Sequence, residues 1–160
     1  MKTAILPGSY DPITNGHLDI IKRVSQMFDN VIVLVANNSE KNYLFSAENR
    51  TLLVKDAVKS ISNVTVDYTD GMLVDYIANN NRPIIVKGIR NEVDFLYEKQ
   101  MAEFNSDLSF EKYGFHAETL LLISKPEFNE ISSTKVRTLI SERKDYKNLV
   151  PNSHLLTSLL

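Results

Sequence analysis

Six consecutive residues, Val31-Ile32-Val33-Leu34-Val35-Ala36, are apolar without a single polar interruption. A strand with one wet face alternates with period two, so an unbroken run of this length reads as a strand covered on both sides. Thr3–Leu6, Val64-Thr65-Val66, Ile84-Ile85-Val86 and Thr119–Ile123 read as further strands. Between them lie amphipathic stretches at helical spacing. His17–Phe28 carries Leu18, Ile21, Val24 and Phe28 on one face, and Ala47–Ser60, with Ser46 placed to cap it, turns Leu53, Val54, Ala57, Val58 and Ile61 inward. Met72–Asn80, about Val93–Phe104, Thr134–Arg143 and His154–Leu160 complete the helices. Strands alternating with helices in this way imply parallel pairing and right-handed crossovers. The expected fold is α/β, a doubly wound parallel five-stranded sheet with helices on both faces, Rossmann-like, in one domain over residues 1–160.

Composition narrows the function classes. A formal charge of −2 over 160 residues offers no field for nucleic acid or an anionic membrane. No apolar run approaches the roughly 20 residues of a membrane span, and the first residues enter a strand with no charged-then-apolar leader. The absence of cysteine removes disulfides and thiolate metal sites and fits a cytoplasmic protein.

Ligands of parallel sheets bind beyond the carboxyl ends of the strands, and the chemistry-bearing residues fall there. After Ala4-Ile5-Leu6 comes Gly8-Ser9-Tyr10-Asp11-Pro12-Ile13-Thr14-Asn15-Gly16-His17, a Gly/Pro loop running into a helix start. Helix starts carry free N–H groups and a positive dipole end, which suits phosphate. A lone histidine is ordinarily a capping or packing residue, but Thr14-Asn15-Gly16 in front of His17 favours a donor to phosphate oxygen. Far downstream, Ile131-Ser132-Ser133-Thr134 and Arg137 read as a second phosphate nest, with Arg137 returning to the same face one turn later. Lys87-Gly88-Ile89-Arg90 places two cations at a strand end. Arg90, Asp94 and Glu98 then recur every four residues, as in a salt-bridge ladder or with Asp94 orienting Arg90 and Glu98 facing a ligand. Lys41, in the loop after the second strand, is a candidate clamp. No Ser/His/Asp or Cys/His arrangement, Walker-type lysine loop or protein-built metal site is present.

Together these residues resemble the phosphopantetheine adenylyltransferases. The likeness runs nearly end to end: Gly8 to His17, Phe45-Ser46 with Arg50, Lys87-Gly88-Ile89-Arg90, Asp94-Phe95-x-Tyr97-Glu98, Ile131-Ser132-Ser133-Thr134 and Val150-Pro151. Thr-x-Gly-His alone marks only the wider nucleotidyltransferases; the long first motif together with Asp-Phe-x-Tyr-Glu is far more specific. The resemblance implies transfer of the adenylyl group of ATP to 4′-phosphopantetheine, giving dephospho-CoA and pyrophosphate in coenzyme A biosynthesis. It also implies magnesium held mainly by ATP phosphates, a homohexamer, and feedback inhibition by coenzyme A. By the same likeness the catalytic set is His17, Lys41 and Arg90. ATP would meet Ser9, Tyr10, His17, Gly88, Ile89, Arg90, Glu98 and the loop Phe128, Asn129, Glu130, Ile131, Ser132, Ser133, Thr134. Phosphopantetheine would meet Ser9, Lys41, Met72, Leu73 and Lys87.

The chain departs from the family pattern at several places. Lys87 stands where arginine is usual, turning a bidentate phosphate grip into a point charge. Tyr10 replaces Phe, Leu96 replaces Glu, and Thr134 replaces a third serine. Ser109–Ala117 reads as an enlarged loop before the last strand. Acceptor choice rests on Lys87, Met72 and Leu73, so an enzyme of the same fold acting on nicotinate mononucleotide stays open at this stage, as does a non-catalytic nucleotide-binding regulator.

Overall fold

The computed structural model describes all 160 residues. Five parallel strands, β1 (Thr3–Gly8), β2 (Asn30–Ala36), β3 (Val64–Thr69), β4 (Ile84–Ile89) and β5 (Thr119–Ile123), form one sheet in the order β3-β2-β1-β4-β5. Six helices alternate with or follow them: α1 (Asn15–Ser25), α2 (Ala47–Val58), α3 (Leu73–Asn79), α4 (Glu92–Tyr113), α5 (Ser133–Ser141) and α6 (Ser153–Ser158). Successive strands pair outward from β1 in two directions, which places the reversal of strand order between β1 and β4. Crossovers leave the sheet towards opposite faces there and open a crevice at the carboxyl ends.

The doubly covered sheet follows from the apolar runs. Ala4, Leu6, Val31, Val33, Val35 and Val86 turn to one face, where they pack with Ile20 and Val24 of α1, Leu53 of α2, Val136 of α5 and Leu156 of α6. Ile5, Leu34 and Ile85 turn the other way, onto Ile77 of α3 and Ala117, with Phe115 packed against them. The period of two is intact, but both phases are apolar. Where α1 crosses β4 the approach is close: a Cβ on Gly88 would lie 3.0 Å from Ile20 Cγ1 and 3.2 Å from its Cδ1.

Two expectations are corrected here. The fourth helix does not end near Phe104 but runs to Tyr113, so most of Ser109–Ala117 is helix rather than enlarged loop. The polar stretch Asn105-Ser106-Asp107 mimics a terminator, yet Asn105 and Ser109 are buried. Ser109 Oγ donates to the Ser106 carbonyl and accepts from the Ala117 N–H. The real stop is Gly114, left-handed at φ 73°. Just before it Lys112 and Tyr113 both donate to Asp75 of α3, bracing the two helices.

Replacing Gly88 by alanine forces the new methyl group against Ile20, which is itself buried. The expected cost is about 1–3 kcal/mol, read as a lower urea midpoint with unchanged slope; an unchanged midpoint would show that α1 can withdraw from β4 freely.

Candidate active site

His17 is held by the start of its own helix. Thr14 caps α1 in extended conformation, its Oγ1 accepting from the His17 N–H at 3.3 Å. In return the Thr14 N–H donates to His17 Nδ1 at 3.0 Å. The imidazole thus takes the part that Glu or Gln usually plays in a capping box. An N–H can only donate, so Nδ1 is the acceptor and the neutral ring carries its proton on Nε2. Burial, reinforced by the positive charges of Lys87 and Arg90, lowers the His17 pKa from 6.5 to about 4. Tyr10 meets the ring edge-on at a centroid distance of 5.0 Å. It does so from a left-handed backbone (φ 48°), with its hydroxyl donating to the Leu6 carbonyl at 2.9 Å.

A cavity of about 340 Å³ opens in front of this ring. Ser9, Tyr10, Thr14, Gly16 and His17 border it on the β1 side. Lys87, Gly88 and Arg90 border it from β4, Asp94 and Glu98 from α4, and Phe128 and Ile131 to Thr134 from the start of α5. Two helix N-termini and two cations therefore face one space, a field suited to a polyphosphate. Each cation is held in place. Asp94 takes Arg90 through Nε at 2.8 Å and Nη2 at 3.2 Å, and also accepts the Arg90 N–H at 3.0 Å. The pair holds the Asp94 carboxyl below its usual range and the guanidinium above its own. Of the two readings of the four-residue spacing, the orienting one is correct for Asp94. Lys87 Nζ donates to the Pro7 carbonyl at 3.1 Å and lies 3.5 Å from Glu98 Oε1.

The second loop is only partly as expected. Ser132 Oγ caps α5 by accepting the Lys135 N–H at 3.0 Å, and Ser133 Oγ donates to the Pro12 carbonyl at 2.8 Å. Arg137 does not reach the cavity. Its guanidinium donates to the Asp11 carbonyl at 2.8 Å and to Thr134 Oγ1 at 3.1 Å, so it ties the two phosphate loops together. Helical spacing brings Arg137 one turn round, but the Asp11 carbonyl of the first loop takes up its guanidinium.

Lys41, Met72 and Leu73 lie outside the cavity lining, as do Ile89, Asn129 and Glu130. Lys41 and Met72 are exposed. They stand on the loops after β2 and β3, at the same sheet end as the cavity. Sequence reading missed Pro7, Ile20 and Ser124 as lining residues; they follow from register and packing, for which the local sequence holds no signal.

Comparison with known proteins agrees with the geometry. Residues 5–139 match the family model described as cytidylyltransferase-like. A phosphopantetheine adenylyltransferase of Bdellovibrio bacteriovorus is 43% identical, covering 94% of this chain and 91% of the relative. One of Clostridium beijerinckii is 43% identical over 95% and 92%, and one of Clostridium novyi 41% over 95% and 91%. Among solved structures, a putative nicotinate-nucleotide adenylyltransferase of Vibrio parahaemolyticus superposes over the whole of both chains, with a TM-score of 0.65 at 19% identity. That likeness concerns the fold.

Above neutral pH His17 is uncharged both folded and unfolded. As pH falls through 6.5 the unfolded chain takes up a proton that the folded chain refuses until about 4, so stability is lost across that window and levels off below it. The His17 ring is expected to titrate near 4 by NMR, and a His17→Gln variant, able to keep the capping box, should lack this share of the acid destabilisation. A titration near 6.5 would overturn the assignment of a neutral ring.

Proposed function

The chain belongs to the phosphopantetheine adenylyltransferase family, and from that membership we infer its reaction: transfer of the adenylyl group of ATP to 4′-phosphopantetheine, giving dephospho-CoA and pyrophosphate. It is a nucleotidyltransferase of coenzyme A biosynthesis. The observation that carries the reading is the gathering of His17, Lys87, Arg90 and the starts of α1 and α5 around one cavity.

The chemistry needs no more than that. An oxygen of the acceptor phosphate, already ionised at neutral pH, bonds to the α-phosphorus of ATP while the bond from that phosphorus to the bridging β-oxygen breaks. Pyrophosphate departs with that electron pair, and no proton has to be removed. Catalysis is alignment of two phosphates and neutralisation of charge between them. His17 would donate Nε2–H to a phosphoryl oxygen in the transition state; a neutral donor avoids adding a third cation to the cavity. Arg90, immobilised by Asp94, would hold the ATP phosphates, with the adenosine part towards Gly88, Ile89, Glu98 and the loop Phe128 to Thr134. Lys87 would meet the acceptor phosphate, with Ser9, Lys41, Met72 and Leu73 on the same side.

The chain offers no cluster of three or more carboxylate, histidine or cysteine groups for a metal ion. Asp94 and Glu98, the cavity carboxylates, are engaged with Arg90 and Lys87. A donor set so cationic fits magnesium as an ion carried in by ATP phosphates and water. Bound there, magnesium would offset phosphate charge, while the chain's own residues position the phosphates. Coenzyme A contains both the pantetheine and the adenine nucleotide halves, so it suits this site as a feedback inhibitor. The homohexamer draws support from exposed apolar side chains along α4 (Val93, Leu96, Tyr97, Phe104) and on the edge strand β5 (Leu120, Ile123). A cytoplasmic setting accords with ATP as substrate, and no helix is long and apolar enough to cross a membrane.

Pyrophosphate release from ATP and magnesium tests the reaction, with 4′-phosphopantetheine and nicotinate mononucleotide as alternative acceptors. Release should depend on phosphopantetheine, and His17→Ala should lower kcat by about 10²–10³ with folding intact; turnover with nicotinate mononucleotide alone would overturn the acceptor. Lys87→Arg restores a bidentate fork and should lower the KM for phosphopantetheine more than that for ATP. Equal changes in both would remove Lys87 from the acceptor side.

A further inference from the structure

Arg50, on α2, is completely buried, yet no carboxylate pairs with its guanidinium directly. Burying such a charge is expensive unless every donor is used. The guanidinium instead collects oxygens from the loops after β1 and β2. Nη1 donates to the Ser9 carbonyl at 2.8 Å and to the Ala36 carbonyl at 3.0 Å. Nη2 donates to Asn37 Oδ1 at 2.6 Å, and Nε to the Phe45 carbonyl at 3.2 Å. The Tyr43 ring covers it at 3.8 Å.

These partners are the hinges of the acceptor side. Ser9 belongs to the loop after β1. Ala36 and Asn37 end β2, and Tyr43 and Phe45 close the loop that carries Lys41. Within that loop the Lys41 N–H donates to the Asn38 carbonyl at 3.0 Å, a tight turn, and the Asn38 N–H donates to Tyr43 Oη at 2.9 Å. Lys41 therefore stands at the tip of a built turn that hangs from the guanidinium. Asp11 secures the far side, accepting the Leu44 and Phe45 N–H groups at 2.8 and 2.9 Å. The other end of the Asn37 amide continues the network: Nδ2 donates to Asp70 at 2.7 Å, to which Tyr68 Oη also donates at 2.7 Å. That reaches the loop after β3, just before Met72 and Leu73.

We propose that Arg50 is the positioning residue of the acceptor side, holding the loops after β1, β2 and β3 in register so that Ser9, Lys41, Met72 and Leu73 face one substrate. The inference rests on the acceptor-side assignment above. A hydrophobic side chain could fill the same volume, but it could not bind carbonyls of two loops at once. Lysine keeps the charge but lacks the planar fork.

The test compares Arg50→Lys with the unaltered enzyme, alone and combined with Lys41→Ala. Tyr43→Leu, which removes the covering ring and the Asn38 acceptor at a less buried site, serves if Arg50→Lys does not fold. Each is read for the separate KM values of phosphopantetheine and ATP, and for amide exchange of residues 37–45. The expected result is a rise in phosphopantetheine KM of roughly tenfold or more, little change for ATP, and faster exchange in 37–45. With Lys41 already alanine, the Arg50 substitution should add much less than it does alone. Additive effects, or equal losses for both substrates, would reduce Arg50 to a general stabiliser and overturn the proposal. Unchanged exchange in 37–45 would overturn it too. A Lys41→Ala enzyme with a normal phosphopantetheine KM would instead strike the acceptor-side assignment of Lys41, while the exchange data still decide whether Arg50 holds the loop.

Discussion

The pairing of β1 with β2 on one side and β4 on the other governs the rest of this molecule. With β1 central, the loops leaving β1 and β4 part towards opposite faces, and only there does the sheet leave an open space at its carboxyl edge. The α1 start, Lys87, Arg90 and the α5 start are all delivered to that space by strands whose register is set by apolar packing on both faces. A slip of one residue in β4 would send Lys87 to the other side of the sheet. The tight approach of α1 to Gly88 has the same origin: His17 comes close to Lys87 and Arg90 because the helix behind it lies against β4 with no side chain between.

So many positive groups around one cavity repel each other until an anion arrives, and the chain limits the cost in three different ways. Arg90 is gripped by Asp94. Lys87 leans on the Pro7 carbonyl and Glu98. His17 stays uncharged at neutral pH, since burial and its two cationic neighbours all oppose a charge. What remains is a rigid set of donors, arranged before the substrate binds, which is the form of preorganisation that phosphoryl transfer requires.

Much of the fold was legible in the sequence because the signals were local. Uninterrupted apolar runs marked strands covered on both faces, and Ser46 occupies its cap position as side-chain chemistry demands. The site was legible where it coincided with a helix start or a strand end, as at His17, Lys87 and Arg90. It was illegible where a polar residue was consumed by distant backbone. Arg137 looked like a phosphate ligand and is a tie to Asp11; Arg50 carried no hint of the loops it joins. The length of α4 was misread for a related reason, since Asn105-Ser106-Asp107 looks like a terminator unless the burial of Asn105 and the Ser109 bond to Ala117 are known.

The sequence by itself determined the kinds of element, their order and the chemical class of the site, because periodicity, capping and turn preference act over a few residues. The family likeness named the reaction. Only the tertiary structure decided which polar groups stay available to a substrate. Arg137 and Asp11 are 126 positions apart, Ser133 and Pro12 121, and Arg50 and Ser9 41. Buried hydrogen-bonding groups must find partners, and for these the partners exist only once the sheet has brought the ends of its strands together.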